Sequence, residues 1–295
     1  MFPLLLLLVP LIFGAFRAYC YLSTKVWNGE DQINIVLGSK SSVAIFSFDP
    51  AEKTIAFLFL PPETLVETTG NYGRYRATSL YPLDEMEKKG GTLFKGSLQS
   101  SLLVPLDAWV YSGKEIKKSD DPKTVIKEIR ESLKESQKTN LTNWDRIRLS
   151  WQISRISEAS VNILDLEKMG VFETVSLPDE SKAFVINQVA VDDSLMSFFQ
   201  DAKVREEDRS IAVMNSSDLA GLATAMGKII ERMGGRLVKV GDFPQQTANC
   251  QIKSELLTPK NSYTVRRLLK VFPCQWKLGT PEGYRADIVL VLNNP

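Results

Sequence analysis

The stretch "SSVAIFSFDPAEKTIAFLFLPPETLV", residues 41 to 66, decides the first part of the fold. Its two runs of branched and aromatic residues, 42–49 and 54–60, have the composition of buried β-strands. Between them "DPAEK" predicts a tight turn, because Pro50 presets φ at the second turn position. The runs are therefore predicted to pair antiparallel, and "INIVLG" (33–38) predicts a strand before them. The turn "PPET" then follows a strand end, where enzymes often carry reactive groups.

Two helices are predicted further along the chain. The first begins after Asp121, which caps it, with Pro122 at the first helical position and an apolar stripe behind. The second covers 140–156 and has Trp144, Ile147 and Trp151 on an apolar stripe. Arginines on this second helix favour a solvated face over a phosphate-binding one; they are Arg146, Arg148 and Arg155.

The last part of the chain has its own α/β pattern. "IAVMNSS" predicts a strand, followed by a helix that Ser217 or Asp218 caps and that Gly234–Gly235 ends. Further strands are predicted in "RLVKVGD", "CQIKS" and "ADIVLVL", with a helix in "SYTVRRLLKVF". The charged run "KVREEDRS" before this block is the candidate domain boundary. The chain is thus predicted to hold two α/β domains.

Composition excludes several function classes. The 295 residues include 36 basic and 35 acidic side chains, a net charge of +1 that argues against nucleic acid as a partner. There is no histidine, which removes Ser-His-Asp catalysis and every histidine-containing zinc site. Any chemistry must come from Asp, Glu, Lys, Arg, Ser or Tyr.

An apolar N-terminal run predicts attachment to a membrane. Residues 2–16 carry no charge, and if Arg17 snorkels, residues 2–22 are long enough to cross a bilayer. A cleaved signal peptide is the alternative, although a basic flank and a small-residue cleavage site are missing. Arg17 and Lys25 by themselves favour a cytoplasmic body, so this run leaves the orientation open.

Two of the three cysteines suggest an oxidising compartment. Cys250 and Cys274 lie in the last domain, and a disulfide between them would fit a protein exported by its N-terminal segment. Two buried, reduced thiols remain the alternative. No CxxC motif is present, which makes a cysteine metal site improbable.

A glycine-punctuated loop holds the best candidates for anion binding. In "GNYGRYRAT" the arginines Arg74 and Arg76 offer paired donors, and Tyr72 and Tyr75 offer flat stacking surfaces. A plain surface loop is favoured over this role. Asp84 is a carboxylate expected near the turn at 61–64.

With these segments placed, the chain resembles the LytR-CpsA-Psr (LCP) family of cell-envelope proteins. "SSVAIFSFDPAEKTIAFLFLPPETLV", "GNYGRYRATSLY" and "LLVPLDAWVY" look like its catalytic domain. "IAVMNSSDLAGLATAMGKIIERMGGRLVKV" and "ADIVLVL" resemble the LytR C-terminal domain. The resemblance implies a membrane anchor at 1–24, a divergent LCP-like mixed α/β domain at 25–205 and a small LytR-type α/β domain at 206–295.

Family members transfer glycopolymers from a polyprenyl pyrophosphate to peptidoglycan, with arginines on the pyrophosphate and aspartates on Mg²⁺. Where the family has Arg-[Ser/Thr]-Asp, this chain has Lys40-Ser41-Ser42, and the family's Arg-Asp turn is here Pro62-Glu63. The resemblance therefore leaves Lys40 as the only matching charge of the first motif and Glu63 as a stand-in for the aspartate of the second. Arg74 and Arg76 are possible substitutes for the lost arginines, and Asp84 is the possible Mg²⁺ ligand.

These losses predict a protein that has kept a transferase scaffold without its reactive charges. We expect a single-pass membrane protein with its body on the extracytoplasmic side. It would bind or scaffold an envelope glycan or a polyprenyl lipid, and no cofactor is assigned to this role. The alternative is a divergent Mg²⁺-dependent phosphotransferase rebuilt from Lys40, Glu63, Arg74, Arg76 and Asp84. A cytosolic regulator fits the apolar N-terminal run poorly.

Overall fold

A computed structural model describes residues 26–195, 198–280 and 283–293. The predicted membrane anchor, 1–24, lies outside the described residues. Within the described ranges, no helix combines the length and apolar character that crossing a bilayer requires. The fold of these ranges is mixed α/β, as predicted, and contains three sheets.

The strands are, in chain order, β1 (Ile33–Gly38), β2 (Val43–Asp49), β3 (Thr54–Leu60), β4 (Thr64–Glu67), β5 (Arg74–Arg76), β6 (Ala108–Ser112), β7 (Ser136–Thr139), β8 (Val161–Leu164), β9 (Phe172–Ser176), β10 (Lys182–Ile186), β11 (Ser210–Asn215), β12 (Arg236–Asp242), β13 (Gln251–Ser254), β14 (Gln275–Leu278) and β15 (Ile288–Leu292). The α-helices are α1 (Leu80–Met86), α2 (Thr92–Leu102), α3 (Pro122–Lys134), α4 (Asn143–Ile153), α5 (Gln188–Leu195), α6 (Ala202–Glu207), α7 (Leu222–Arg232) and α8 (Tyr263–Val271).

The first sheet has the strand order β7-β6-β1-β2-β3-β8. At its centre β2 pairs antiparallel with β3, as predicted, and β1 pairs antiparallel with β2. Because side chains alternate between the two faces of a strand, the sheet contributes to two separate cores. Ile35 and Phe46 face α3 and α4, whereas Val36 and Ile45 face α1 and α2.

The second and third sheets flank this centre. The second has the order β5-β4-β10-β9 and packs over the α1–α2 side, where Val66 and Phe172 join the core. The third, β12-β11-β15-β13-β14, lies wholly within residues 210–292. One face of this third sheet packs against α7 and α8, through residues such as Ile229 and Leu268. We call this part the C-terminal unit, and the predicted domain boundary before it stays a prediction.

Helix α3 illustrates how local sequence sets an element. Asp121 accepts a hydrogen bond from the Thr124 amide at 3.0 Å, and Pro122 occupies the first turn, as predicted. Helix α7 departs from its predicted start, because Ser217 bonds Asn215 instead and the helix begins after Gly221. The charged run at 203–210 forms most of α6 and the start of β11.

Candidate functional site: the rim of the first sheet

Two turns, residues 39–42 and 61–63, meet at one end of the first sheet. Together with the strand pair β4–β5, which continues the second turn and carries Glu67, Arg74 and Arg76, they form the surface that we call the rim. Gly38 pairs with Val43, which pairs in turn with Leu60, so the turn after β1 lies beside the turn after β3. Lys40 lies on the first turn and Glu63 on the second, and both side chains are exposed. The structure thus brings these two predicted residues to the same edge.

Serine hydroxyls hold the first turn of the rim in shape. The Oγ atoms of Ser39 and Ser42 are 2.7 Å apart, and the Ser42 amide donates to Ser39 Oγ at 3.0 Å. Ser42 Oγ also accepts a bond from the Ile116 amide at 2.7 Å, which fixes the loop after β6 to this turn. Both serines are buried, so they serve the turn, and Lys40 is left as its exposed charge.

Arg74 and Arg76 lie on strand β5 and not in the loop that the sequence predicts. Arg76 pairs with Leu65, two positions after Glu63, and Arg74 pairs with Glu67. The Arg74 Nε atom lies 2.9 Å from the Glu67 carboxylate, and both side chains are 63% exposed. Arg74 is therefore neutralised by a neighbour on the adjacent strand.

Arg76 is exposed and acts on another carboxylate. Hydrogen bonds from Ser181 hold the pKa of Asp179 below its usual value, and the positive charge of Arg76 adds to this effect. Asp179 belongs to the turn between β9 and β10. The charge of Arg76 is thus felt at the far turn of its own sheet.

The two tyrosines of the same segment are half-buried and pack against the core on the α1–α2 side. The Tyr72 hydroxyl donates to Glu87 at 3.0 Å, a bond that raises the pKa of this phenol. Tyr75 pairs with Val66 in the ladder between β4 and β5. Their predicted role as stacking surfaces stays a prediction.

Asp84 caps a helix. Its carboxylate oxygens accept bonds from the amides of Gly91, at 2.6 Å, and Phe94, at 2.9 Å, at the start of α2. Gly91 has φ of 87° and a Cβ there would lie 1.9 Å from Trp109, so only glycine fits this approach. The carboxylate thus accepts from two backbone N–H groups that have no carbonyl partner within the helix. A role for Asp84 as a metal ligand stays a prediction.

The described residues do not offer Mg²⁺ a ready set of ligands. Among them, no three acidic or cysteine side chains lie close enough together to hold a metal ion. Mg²⁺ prefers carboxylate oxygens together with waters or phosphates, and both oxygens of Asp84 already accept backbone bonds. The Mg²⁺ that the resemblance implies stays a prediction, as does the metal role of Asp84, and no chemical step is assigned to it.

A disulfide joins Cys250 and Cys274, with a Cα–Cα distance of 4.6 Å. The bond links the starts of the neighbouring parallel strands β13 and β14, where the Gln275 amide also donates to the Cys250 carbonyl at 2.9 Å. The two cysteines therefore reinforce the edge of the third sheet.

A second group of charges lies at the contact between the first sheet and the C-terminal unit. This group, the interface cluster, consists of Asp107, Asp201, Tyr263 and Arg267. The Arg267 guanidinium pairs with Asp107 and lies 3.2 Å from Asp201, and all three side chains are at most 4% exposed. The Tyr263 hydroxyl donates to Asp201 at 2.6 Å. Burial lowers the pKa of Arg267 to about 10, so it stays charged at neutral pH.

The interface cluster connects parts of the chain that are far apart in sequence. Asp107 accepts from the Asn34 amide of β1 at 2.8 Å, whereas Arg267 lies on α8. Nearby, Lys95 donates to the Leu106 carbonyl at 3.1 Å. Burial, with a smaller contribution from the charge of Arg267, lowers the pKa of Lys95 to about 8.

Sequence reasoning missed the interface cluster, although α8 carries a signal for it. Buried positions on this helix include Thr264, Leu268 and Val271, and Arg267 falls within their stripe. A charge at a core position of a helix indicates a buried ion pair.

Comparisons with known proteins found similar solved structures. "TagT bound to LIIa-WTA" has 15% identity and a TM-score of 0.40, covering 56% of this chain and 88% of its own. TagV of B. subtilis has 13% identity and a TM-score of 0.41, covering 56% and 94%. YwtF (TagT), described as a LytR-CPS2A-psr family protein with bound octaprenyl pyrophosphate lipid, has 17% identity and a TM-score of 0.39, covering 56% and 88%.

No protein-family model matches the chain, and no curated protein sequence matches it. At identities below 20% and TM-scores near 0.4, the structural likeness establishes neither a family nor an activity.

Proposed function

We propose that this chain is a membrane-anchored cell-envelope protein that binds a polyprenyl-linked or other phosphate-bearing envelope glycan at the rim and does not transfer it. Its body would lie on the extracytoplasmic side. The sequence resemblance to LCP proteins and the disulfide between Cys250 and Cys274 support this setting, since disulfides persist outside the reducing cytosol.

The state of the charges at the rim carries the proposal. Lys40, Glu63 and Arg76 are exposed, and Arg74 is paired with Glu67. Exposed charges attract an anion weakly, because water screens them. Such a surface suits reversible binding of a phosphate group.

Phosphoryl transfer needs more than this surface offers. Catalysis of that kind depends on donors that are held in place and shielded from water, where they stabilise the developing charge strongly. The rim lacks the arginines that the family carries at the positions of Lys40 and Pro62. Binding without turnover is therefore the function that the rim supports best.

The test is calorimetric titration of the full chain, in detergent, with a polyprenyl phosphate and with a polyprenyl pyrophosphate carrying a disaccharide, each with and without Mg²⁺. We expect binding in all cases, and no glycan on peptidoglycan that is incubated with the same mixtures. The variant Lys40→Ala/Arg76→Ala should weaken binding roughly tenfold, since each weak phosphate contact contributes on the order of 0.5–1 kcal/mol.

A matched control is Lys277→Ala/Arg285→Ala, which removes two exposed cations from the C-terminal unit and should leave binding unchanged. Transfer that requires Mg²⁺ and is lost in Glu63→Gln would establish the phosphotransferase instead. The absence of binding to both lipids would refute the proposal.

A further inference from the structure

Helix α4 turns its apolar stripe outward. Trp144 is 44% exposed, Ile147 is 62% exposed and Trp151 is 54% exposed, whereas Leu149 and Ile153 on the same helix are buried. Large apolar side chains in such a row usually face the core, and an exposed apolar patch commonly marks an interaction surface. The stripe that the sequence predicts is therefore present, but it faces solvent.

Cationic side chains surround this stripe. A groove of about 760 Å³ runs between α3 and α4, and Ile147 and Trp151 form part of its lining. The charged residues of the lining are four cations and one acid: Lys127, Arg130, Lys134, Arg146 and Glu131. The acid is paired with Lys114, outside the groove, and lies 3.9 Å from Lys127. The surface that remains is basic.

A cation also lies directly on the stripe. The Arg155 guanidinium stacks over the Trp151 ring, 3.7 Å from its centroid. Arginine and tryptophan in contact at an exposed site combine an apolar body with a charged edge, which is the composition found at membrane–water interfaces.

The segment that follows the apolar N-terminal run in sequence lies along α4. The Val26 amide donates to Asp145 at 3.1 Å and the Gln152 side chain donates to the Gly29 carbonyl at 3.1 Å, so residues 26–29 lie along this helix. The apolar run ends at Leu22, four positions before Val26. At about 3.5 Å per residue, this leaves at most about 14 Å between them.

We propose that α4 and the adjoining basic groove lie on the surface of a bilayer that contains anionic phospholipids. Ile147 and Trp151, with Trp144 at one end of the stripe, enter the interfacial layer, and the groove cations pair with lipid phosphates. The contact rests on the proposed membrane anchoring and is separate from glycan binding at the rim. It orients the body of the protein on the membrane.

The test places a nitroxide label at position 147. The full chain carries Cys20→Ser, and the test variant adds Ile147→Cys. The control adds Leu278→Cys instead, because Leu278 is an apolar residue of the C-terminal unit with a similar exposure, 58%. Both forms are incorporated into nanodiscs of phosphatidylcholine with and without phosphatidylglycerol. The accessibility of the label to oxygen and to a water-soluble nickel complex is then measured.

We expect the label at 147 to be accessible to oxygen and protected from nickel in anionic discs, and the label at 278 to be accessible to nickel in both. Adding Lys127→Glu/Arg130→Glu should weaken the contact roughly fivefold per cation and restore nickel access at 147. These substitutions lie on an exposed helix face, and thermal unfolding checks that the fold is retained.

Nickel access at 147 equal to that at 278 in anionic discs overturns the inference, even if glycan still binds. Immobilisation of the label at 147 by a soluble anionic glycopolymer, with nickel access retained in discs, overturns it in favour of a polymer site. A chain that does not enter discs overturns both the membrane anchoring and this contact. Glycan binding at the rim is still tested, because its titration is done in detergent.

Discussion

The rim and the interface cluster contain the same kinds of side chain in opposite surroundings. At the rim, Arg74 and Glu67 form an ion pair in which each side chain is 63% exposed. In the interface cluster, Arg267 and Asp107 form one in which the side chains are 2% and 3% exposed. The difference in burial decides what each pair can do.

A buried ion pair and an exposed one differ mainly in what happens when they are broken. Removing one partner of a buried pair leaves a charge without water or a counter-charge, whereas an exposed partner is simply solvated. The chain therefore places its desolvated charges at the joint between the first sheet and the C-terminal unit. The rim, where the family resemblance locates chemistry, keeps solvated charges.

The largest effect is expected when the buried pair is broken. Arg267→Met removes the cation that faces Asp107 and Asp201, and leaves two buried carboxylates without it. We expect the free energy of unfolding to fall by about 3–5 kcal/mol. Urea unfolding, followed by circular dichroism, measures the loss.

Arg266→Met is the matched control, because the neighbouring Arg266 is exposed on the same helix and lies over the Tyr263 ring, 5.6 Å from its centroid. Its effect should stay below about 1 kcal/mol, since an exposed cation–π contact contributes about 0.5–1 kcal/mol. Equal losses in the two variants would show that the interface cluster does not stabilise the joint, and the contrast with the rim would fail.

A smaller effect is expected from the pH dependence of Lys95. Its pKa is lowered from 10.5 to about 8 in the folded chain, mainly by burial. Between these two pH values the unfolded chain holds more protons at this site, so the contribution of Lys95 makes stability rise with pH. Below pH 8 the full penalty of burying the charge applies. We expect a gain of about 1–2 kcal/mol between pH 8 and pH 10.

Lys95→Met isolates this contribution, since it removes the titrating group. The free energy of unfolding of the original chain minus that of the variant should increase by about 1–2 kcal/mol from pH 8 to pH 10. A difference that stays constant over this range would mean that Lys95 keeps an ordinary pKa and that the joint is more hydrated than its burial indicates.

Much of the central fold could be predicted from the sequence. The predicted bounds of β1 and β3 are those observed, and the turn "DPAEK" pairs β2 with β3 antiparallel. The start of α3 was predicted from Asp121 and Pro122. These features depend on side chains within a few residues, where strand composition, turn chemistry and capping act directly.

Helix α4 shows what local reasoning could not provide. Periodicity predicted the helix and its apolar stripe, but it does not say which face meets the core. The deciding contacts come from more than a hundred positions away, where the Val26 and Trp27 amides bind Asp145 and the Trp27 ring fills the core. The stripe with Trp151 is consequently left outside.

The rim shows the same limit. The adjacency of Lys40 and Glu63 follows in part from the predicted hairpin of β2 and β3, and in part from the pairing of β1 with β2, which the structure adds. The partners of Arg74 and Asp84 could not be predicted, because one depends on a strand pairing, β4 with β5, and the other on the approach of α1 to the start of α2. Contacts that tertiary structure creates decide which charges are free to bind a ligand.

The smallest effect is expected at the exposed pair, and it tests the rim itself. Arg74→Ala should change the free energy of unfolding by less than about 1 kcal/mol, because water screens the contact with Glu67. A double-mutant cycle with Glu67→Ala, measured at low and high salt, gives the coupling energy directly. We expect a small coupling that disappears in high salt, since added ions screen exposed charges. A coupling above about 1.5 kcal/mol that resists salt would mean a desolvated rim, and a desolvated rim would restore the case for catalysis there.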